Sequence, residues 1–333
     1  MSWSDFREQA LPRLFACVPV RAWHRLAHVK LVLPYWHVVS DAELDHVSGL
    51  YSFRNTRQFR ADLEFFCRHY QPVSLGDIIK HLDGFGSLPK RCFLPTFDDG
   101  FREASEVIAP ILSELGVPGV FFLITSAVDN RQLCPPQVKS LLLRALNKQR
   151  DSAGEREAAK LLAQASAVGV DLAARIVGLR YHQNPLLTEL AQLLGCDLQG
   201  YLAAAKPYLT TEQIHGLLRR GFAIGAHSLD HPRYTELPLP EQLRQTQASL
   251  AWLTERFQPP CVSFAFPYTD AGVSADFFLK TFDEGKLKVT FGSGGMKPRS
   301  FARHLPRFSM ERTSLPANCI VARHYAKACL RRD

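Results

Sequence analysis

Two adjacent carboxylates, Asp98 and Asp99, end the stretch Leu94-Pro95-Thr96-Phe97-Asp98-Asp99-Gly100, just behind the apolar run Cys92 to Leu94. Ligands of α/β folds gather at the carboxyl ends of strands. Paired carboxylates repel when both are ionised, and a cation that takes one of them as a ligand removes the conflict. Asp-Asp-Gly is equally the composition of an ordinary turn. Far downstream, His227 and His231 stand four residues apart, directly after the strand-like run Phe222 to Ala226. Two imidazoles and one Asp make a three-ligand set for a divalent metal and leave a coordination position open for water and substrate. His-x-x-x-His alone is a weak signal, and its pairing with two carboxylates at another strand end strengthens it.

Strands must deliver these groups. Val29 to Asp41 is dense in β-branched and aromatic residues and predicts a buried strand followed by a loop, with His37 just after the strand run. Pro118 to Ile124 is almost wholly apolar, as a strand buried on both faces requires. Further strands are predicted over 222–226, 261–266, 286–291 and 304–308. Helical spacing recurs over 56–70 (Thr56 as N-cap), 78–82, 103–115, 210–220 (Thr210 or Thr211 as cap), 240–257 and 274–282. Strand, helix and strand in succession form βαβ units. Residues 130–207 break the rhythm. They are rich in Ala, Leu, Gln, Arg and Glu, and predict an insertion of two to four helices that caps the site or binds a partner. The organisation expected is a terminal amphipathic arm (1–30), a barrel built from 31–129 and 208–311, the helical insertion (130–207) and a basic C-terminal helix (312–333).

The 333 residues are 46% hydrophobic, with 22 Phe, enough for a substantial core. The net charge of +8 and pI of about 9.1 suit an anionic partner or surface, yet the basic residues are scattered and form no long run. We therefore expect no nucleic-acid partner, and keep open a peripheral membrane contact through the termini. None of the eight cysteines forms a Cys-x-x-Cys pair. No signal peptide is read at the start and no run approaches a membrane span, so the expectation is a cytoplasmic protein. Nothing in the chain fixes an oligomeric state.

Thr96-Phe97-Asp98-Asp99-Gly100 resembles the first motif of the polysaccharide deacetylases, the NodB-homology carbohydrate esterases. His227-Ser228-Leu229-Asp230-His231 resembles the second, and Phe264-Ala265-Phe266-Pro267-Tyr268 the third. Leu33-Pro34-Tyr35-Trp36-His37-Val38-Val39 resembles the N-terminal segment of the circularly permuted, exopolysaccharide-type members. The resemblance implies an α/β fold, a distorted (β/α)7-type barrel, and a metal-dependent N-deacetylase acting on an N-acetylated glycan or glycan precursor. By the same resemblance Asp99, His227 and His231 hold the metal; zinc suits two His and one Asp, and nickel, cobalt or iron would too. Asp98 is then the general base, His37 the general acid, and the Pro267-Tyr268 backbone the oxyanion site. Two departures stand out. The third motif lacks its usual Arg, a role open to Arg307 unless that residue is a mere surface charge. Thr269-Asp270 also replaces the usual Gly. The missing Arg gives weight to an alternative, a catalytically silent member that binds carbohydrate or a partner protein.

Overall fold

The structure is a computed structural model that describes residues 10–148, 153–283, 287–296, 301–311 and 314–330. Its strands are β1 (Leu31–Val32), β2 (Pro34–Trp36), β3 (Gln71–Pro72), β4 (Cys92–Phe93), β5 (Thr96–Phe97), β6 (Val120–Leu123), β7 (Ala223–Ala226), β8 (Ser263–Ala265), β9 (Val289–Gly292), β10 (His304–Pro306) and β11 (Phe308–Ser309). The main sheet runs β10-β9-β8-β7-β6-β5-β2-β11, and every pairing is parallel. Only Arg307 separates β10 from β11. One bent strand thus pairs β9 on one side, with Leu305 opposite Phe291, and β2 on the other, with Ser309 opposite Tyr35. Seven runs of chain close the barrel through it, in line with the fold class expected.

The predicted strand that begins near Val29 divides at Leu33, and its neighbour divides likewise. Leu31 lies opposite Cys92 and Tyr35 opposite Thr96, the same offset, which sets Pro34 opposite Pro95. Neither proline has an N–H to donate, so the ladder lapses for a step and resumes. The lower halves, β1 and β4, join β3 in a small sheet of their own.

Period-2 alternation sorts the side chains. Trp36, Phe97, Phe121, Ile224 and Ala226 point outward into a core shared with Phe59, Leu63 and Phe66 of the helix Thr56–His69, and with Leu112 and Leu253 from other helices. Trp36 stacks on Phe97 at 5.7 Å, and Phe97 on Phe121 at 4.9 Å. Val120, Phe122, Ala265, Phe291 and Leu305 belong to a second core on the opposite side of the strands. Continuing each strand in phase sends Thr96, Asp98, Tyr35, His37 and His227 inward. Gly225 permits close strand packing: a Cβ there would meet the Phe122 ring and Ser263 Oγ at 2.5 Å.

Some local expectations are corrected. Asn55, not Thr56, caps the helix Thr56–His69, its side chain accepting from the Gln58 N–H, while Thr56 donates to Asp41. Thr210 caps Thr211–Arg219 with a reciprocal Gln213 contact. Among the described residues the region 130–207 holds five α-helices rather than two to four: Pro135–Lys148, Ala153–Gln164, Leu172–Gly178, Leu186–Leu193 and Leu198–Ala205. Leu142, Leu162, Ile176, Leu190 and Leu194 give them an apolar core of their own. The expected C-terminal helix runs over Ala317–Cys329. It buries Ile320, Val321 and Tyr325, with the amphipathic helices Leu11–Ala16 and Val20–Ala27 laid against it. Arg331 and Arg332 fall outside the described residues. All eight cysteines are free, and Cys92, Cys134 and Cys319 are buried. Among the described residues, no helix is long and apolar enough to cross a membrane.

Candidate active site

The two carboxylates part company at the end of β5. The Asp98 N–H still donates to the Trp36 carbonyl at 2.9 Å, so its side chain keeps the inward phase. Asp99 and Gly100 then both take φ of +70°, and the chain turns out of the strand. Asp98 meets Arg307 in a two-pronged contact, Nη1 donating to Oδ1 at 2.7 Å and Nη2 to Oδ2 at 2.8 Å. Arg307 is fully buried, so the reading of it as a surface charge is wrong. Its Nη1 also donates to Thr96 Oγ1, its Nε to the Gly292 carbonyl, and its guanidinium lies 4.8 Å from the Tyr35 ring centre. Burial would raise the Asp98 pKa, but Arg307 outweighs it and holds the carboxyl below its ordinary value. Removing one member of a buried pair strands the other charge. Arg307→Met is therefore expected to destabilise the fold by about 3–5 kcal/mol, read as a lowered urea midpoint. Unchanged stability would contradict the pairing.

Asp99 faces the histidines. Its Oδ1 lies 3.4 Å from His227 Nε2 and 3.3 Å from His231 Nε2. It has no hydrogen-bond partner of adequate geometry, and neither has His231 Nδ1. His227 Nδ1 is 2.9 Å from the Ala265 carbonyl. A carbonyl only accepts, so Nδ1 carries the proton and Nε2 presents a lone pair toward Asp99. Burial holds the His231 pKa below its ordinary value and keeps that ring neutral. The three donor atoms lie within 4.8 Å of one another. Metal–ligand bonds of about 2.0–2.1 Å in a tetrahedral site put neighbouring donors roughly 3.3–3.4 Å apart. The spacing to Asp99, the orphaned oxygen and the fixed tautomer all fit a divalent cation. Ser228 and His231 have φ of +68° and +65°, and the Ser228 Oγ accepts the His231 N–H at 3.0 Å. That turn, not a helix, brings the second imidazole back beside the first.

His37 stands across the site, at the end of β2. Its Nδ1 is 2.6 Å from Glu311 Oε2, and the Glu311 carboxylate also accepts the His37 and Val38 backbone N–H groups. Because a carboxylate accepts, Nδ1 donates and Nε2 is the atom left to exchange protons. Burial pulls the His37 pKa down, but Glu311 overrides it and raises it to about 9. Glu311 escaped the sequence reading because the last strand was ended at Phe308. Extending the alternation through Arg307 and Ser309 would have placed Glu311 on the same inner face.

Pro267 and Tyr268 follow β8. The Thr269 N–H donates to the Pro267 carbonyl at 2.6 Å, a three-residue turn with Tyr268 at φ +57°. The Tyr268 N–H has no acceptor among the described residues. The Tyr268 ring packs 4.7 Å from that of His231. Asp270, in place of the usual Gly, fastens this loop by accepting the Ser293 N–H at 2.7 Å and contacting His304 Nε2 at 3.1 Å. His304, which offered no partner pattern in sequence, is buried between Asp270 and Thr290. Lys297 and Arg299, two cations that would suit an anionic substrate, lie outside the described residues. His324 sits in the helix Ala317–Cys329, its ring 4.7 Å from that of Phe308.

A cavity of about 520 Å³ joins His37, Asp98, Asp99, His227, His231 and Tyr268. Pro136, Gln137, Lys139 and Val177 of the inserted helices complete its wall, so the insertion caps the site. A parallel barrel with such groups at the carboxyl ends of its strands is the layout of a (β/α)-barrel enzyme. The chain belongs to the polysaccharide deacetylase family, whose family model matches residues 86–174 and 198–290. The matched spans carry Asp98, Asp99, His227, His231 and Tyr268, while His37, Arg307 and Glu311 lie outside them. No curated protein matches the chain. Among solved structures it is similar in fold to Streptococcus pyogenes deacetylase PplD in complex with acetate (TM-score 0.56, 15% identity, 87% of this chain and 96% of that one). It is likewise similar to IcaB from Ammonifex degensii (0.55, 16%, 88% and 97%) and to a de-N-acetylase from Aggregatibacter actinomycetemcomitans (0.53, 14%, 86% and 97%).

Proposed function

We propose that this protein hydrolyses the N-acetyl group of an acetylated sugar in a glycan or glycan precursor, with a divalent cation held by Asp99, His227 and His231. The observation that carries it is the division of the carboxylates: Asp98 is tied to Arg307, and Asp99 is turned to two imidazoles whose free nitrogens converge on one orphaned oxygen. The bound cation would supply Lewis acidity at the carbonyl and lower the pKa of water. Zinc suits two imidazoles and a carboxylate, and nickel, cobalt and iron share much of that preference.

The chain's own residues supply the remaining steps. Asp98, kept ionised by Arg307, accepts a proton from the attacking water. The Tyr268 N–H meets the acetyl oxygen as it gains charge. His37, protonated and oriented by Glu311, gives the Nε2 proton to the departing amine. Arg307 supplies the guanidinium that the third motif lacks, which removes the main ground for a silent member.

Acetate release from a chitooligosaccharide tests the reading. Dialysis against a chelator is expected to abolish release, and adding back zinc, nickel, cobalt or iron one at a time to restore it. Full activity in metal-stripped protein, checked by elemental analysis, would remove the cation from the mechanism.

A further inference from the structure

Lys139 is 93% buried without a carboxylate partner among the described ion pairs. Its relative exposure is 7%. Isolated buried ammonium groups are costly and are seldom retained without a use. Its Nζ donates to the Val177 carbonyl at 3.0 Å and the Leu179 carbonyl at 2.6 Å, at the C-terminal end of the helix Leu172–Gly178. Two of its three N–H groups are thereby engaged and one is left. Burial lowers its pKa to about 8, Arg233 pulls the same way and Glu236 opposes them, so the group is mostly charged at neutral pH.

Its position joins two cavities. Lys139, Val177, His231 and Tyr268 line both the main cavity and a smaller one of about 140 Å³ beside it. The smaller cavity is also walled by Arg233, whose guanidinium lies 4.6 Å from the Tyr268 ring centre, and by Tyr181 and Glu236. Glu236 is already occupied: it accepts the Tyr181 N–H at 2.8 Å and lies 3.6 Å from Arg233 Nε. Two cations against one engaged carboxylate leave a surplus positive charge beside the proposed acetyl site.

We propose that the smaller cavity is an anion subsite, in which Lys139 and Arg233 bind a phosphate or carboxylate carried by the N-acetylated sugar. The inserted helices would thus set substrate choice, favouring an acidic glycan precursor or acidic glycan over a neutral polymer. The inference rests on the deacetylase reading for the identity of the sugar, but its test does not need turnover.

Binding is measured by calorimetry for N-acetylglucosamine, its 1-phosphate and a disaccharide of N-acetylglucosamine with a hexuronic acid. Wild-type protein, Lys139→Met and Lys139→Arg are compared. The wild type is expected to bind one acidic ligand more tightly than the neutral sugar, and the two acidic arms tell phosphate from carboxylate. Lys139→Met keeps the aliphatic stem and is expected to reduce the acidic-to-neutral affinity ratio about 10- to 100-fold, the range of a lost charge-assisted hydrogen bond. Lys139→Arg should restore much of it. A purely structural Lys139, closing the helix end, would weaken all ligands alike and leave the ratio unchanged. That result, or equal wild-type affinity for acidic and neutral sugars, would overturn the subsite. Acetate release is scored separately: preference without release refutes the deacetylase reading alone.

Discussion

Asp98→Asn is expected to lower acetate release by about 10²–10⁴-fold, the usual contribution of a positioned general base, with bound cation content unchanged. The asparagine has nearly the same shape, so the site keeps its volume. Its carbonyl oxygen still accepts from Arg307, but its amide nitrogen repels the second guanidinium prong now placed 2.8 Å from Oδ2. The side chain can no longer take a proton. Cation content is the discriminating control, because the proposed ligand atoms belong to Asp99, His227 and His231. A melting curve guards against a second explanation, since the neutral side chain leaves the buried Arg307 short of its counter-charge. Full activity in a folded, metal-loaded Asp98→Asn protein would remove Asp98 from the role of base. Loss of both cation and activity would instead say that the two carboxylates share the metal.

The second large effect is on pH dependence. In the proposed mechanism His37 works as an acid only while protonated. With its pKa raised to about 9, the active form is present below that value and is lost as pH rises through it. Asp98 lies below its ordinary value, so the base is available across the neutral range. Activity should therefore hold from mildly acidic pH to about 9 and fall beyond. His37→Gln removes the proton donor and is expected to cost about 10²–10⁴-fold throughout that plateau. Glu311→Gln leaves the histidine but removes the charge that raises its pKa. Burial is then opposed only by the Asp99 and Asp98 carboxylates, so the His37 pKa falls and the alkaline limb should retreat to lower pH. An alkaline limb unmoved in Glu311→Gln would show that another group sets it. Stability follows the same sign: the His37–Glu311 pair contributes fully below pH 6.5, and its contribution is lost as pH rises through about 9.

The site was legible in sequence wherever short spacing carries the chemistry. Asp98-Asp99 behind an apolar run, and His227 and His231 directly behind another, announce groups at strand ends because a strand places its termini predictably. The βαβ rhythm was legible for a related reason: apolar strands alternating with amphipathic helices leave few other connections, while closure into a barrel came from the family resemblance. His37 was readable only through resemblance, since a lone histidine after a strand has no local pattern.

Contacts between residues far apart in the chain belong to the tertiary structure alone. Arg307 lies 209 positions from Asp98, and Glu311 lies 274 from His37. No periodicity links them; closure of the barrel by the bent strand through Arg307 does. Lys139 is one lysine in a helical stretch until the insertion folds over the barrel mouth. The opening pair of carboxylates shows the same limit. Their sequence makes them neighbours with equal claims, and the positive φ of Asp99 makes them different. One stays in the phase of β5 and meets a guanidinium inside the barrel, and the other turns out to face two imidazoles. The sequence by itself therefore determined which side chains gather at the strand ends. Which partners each of them meets was decided by a backbone turn and a barrel closure, because both depend on residues that arrive from the other end of the chain.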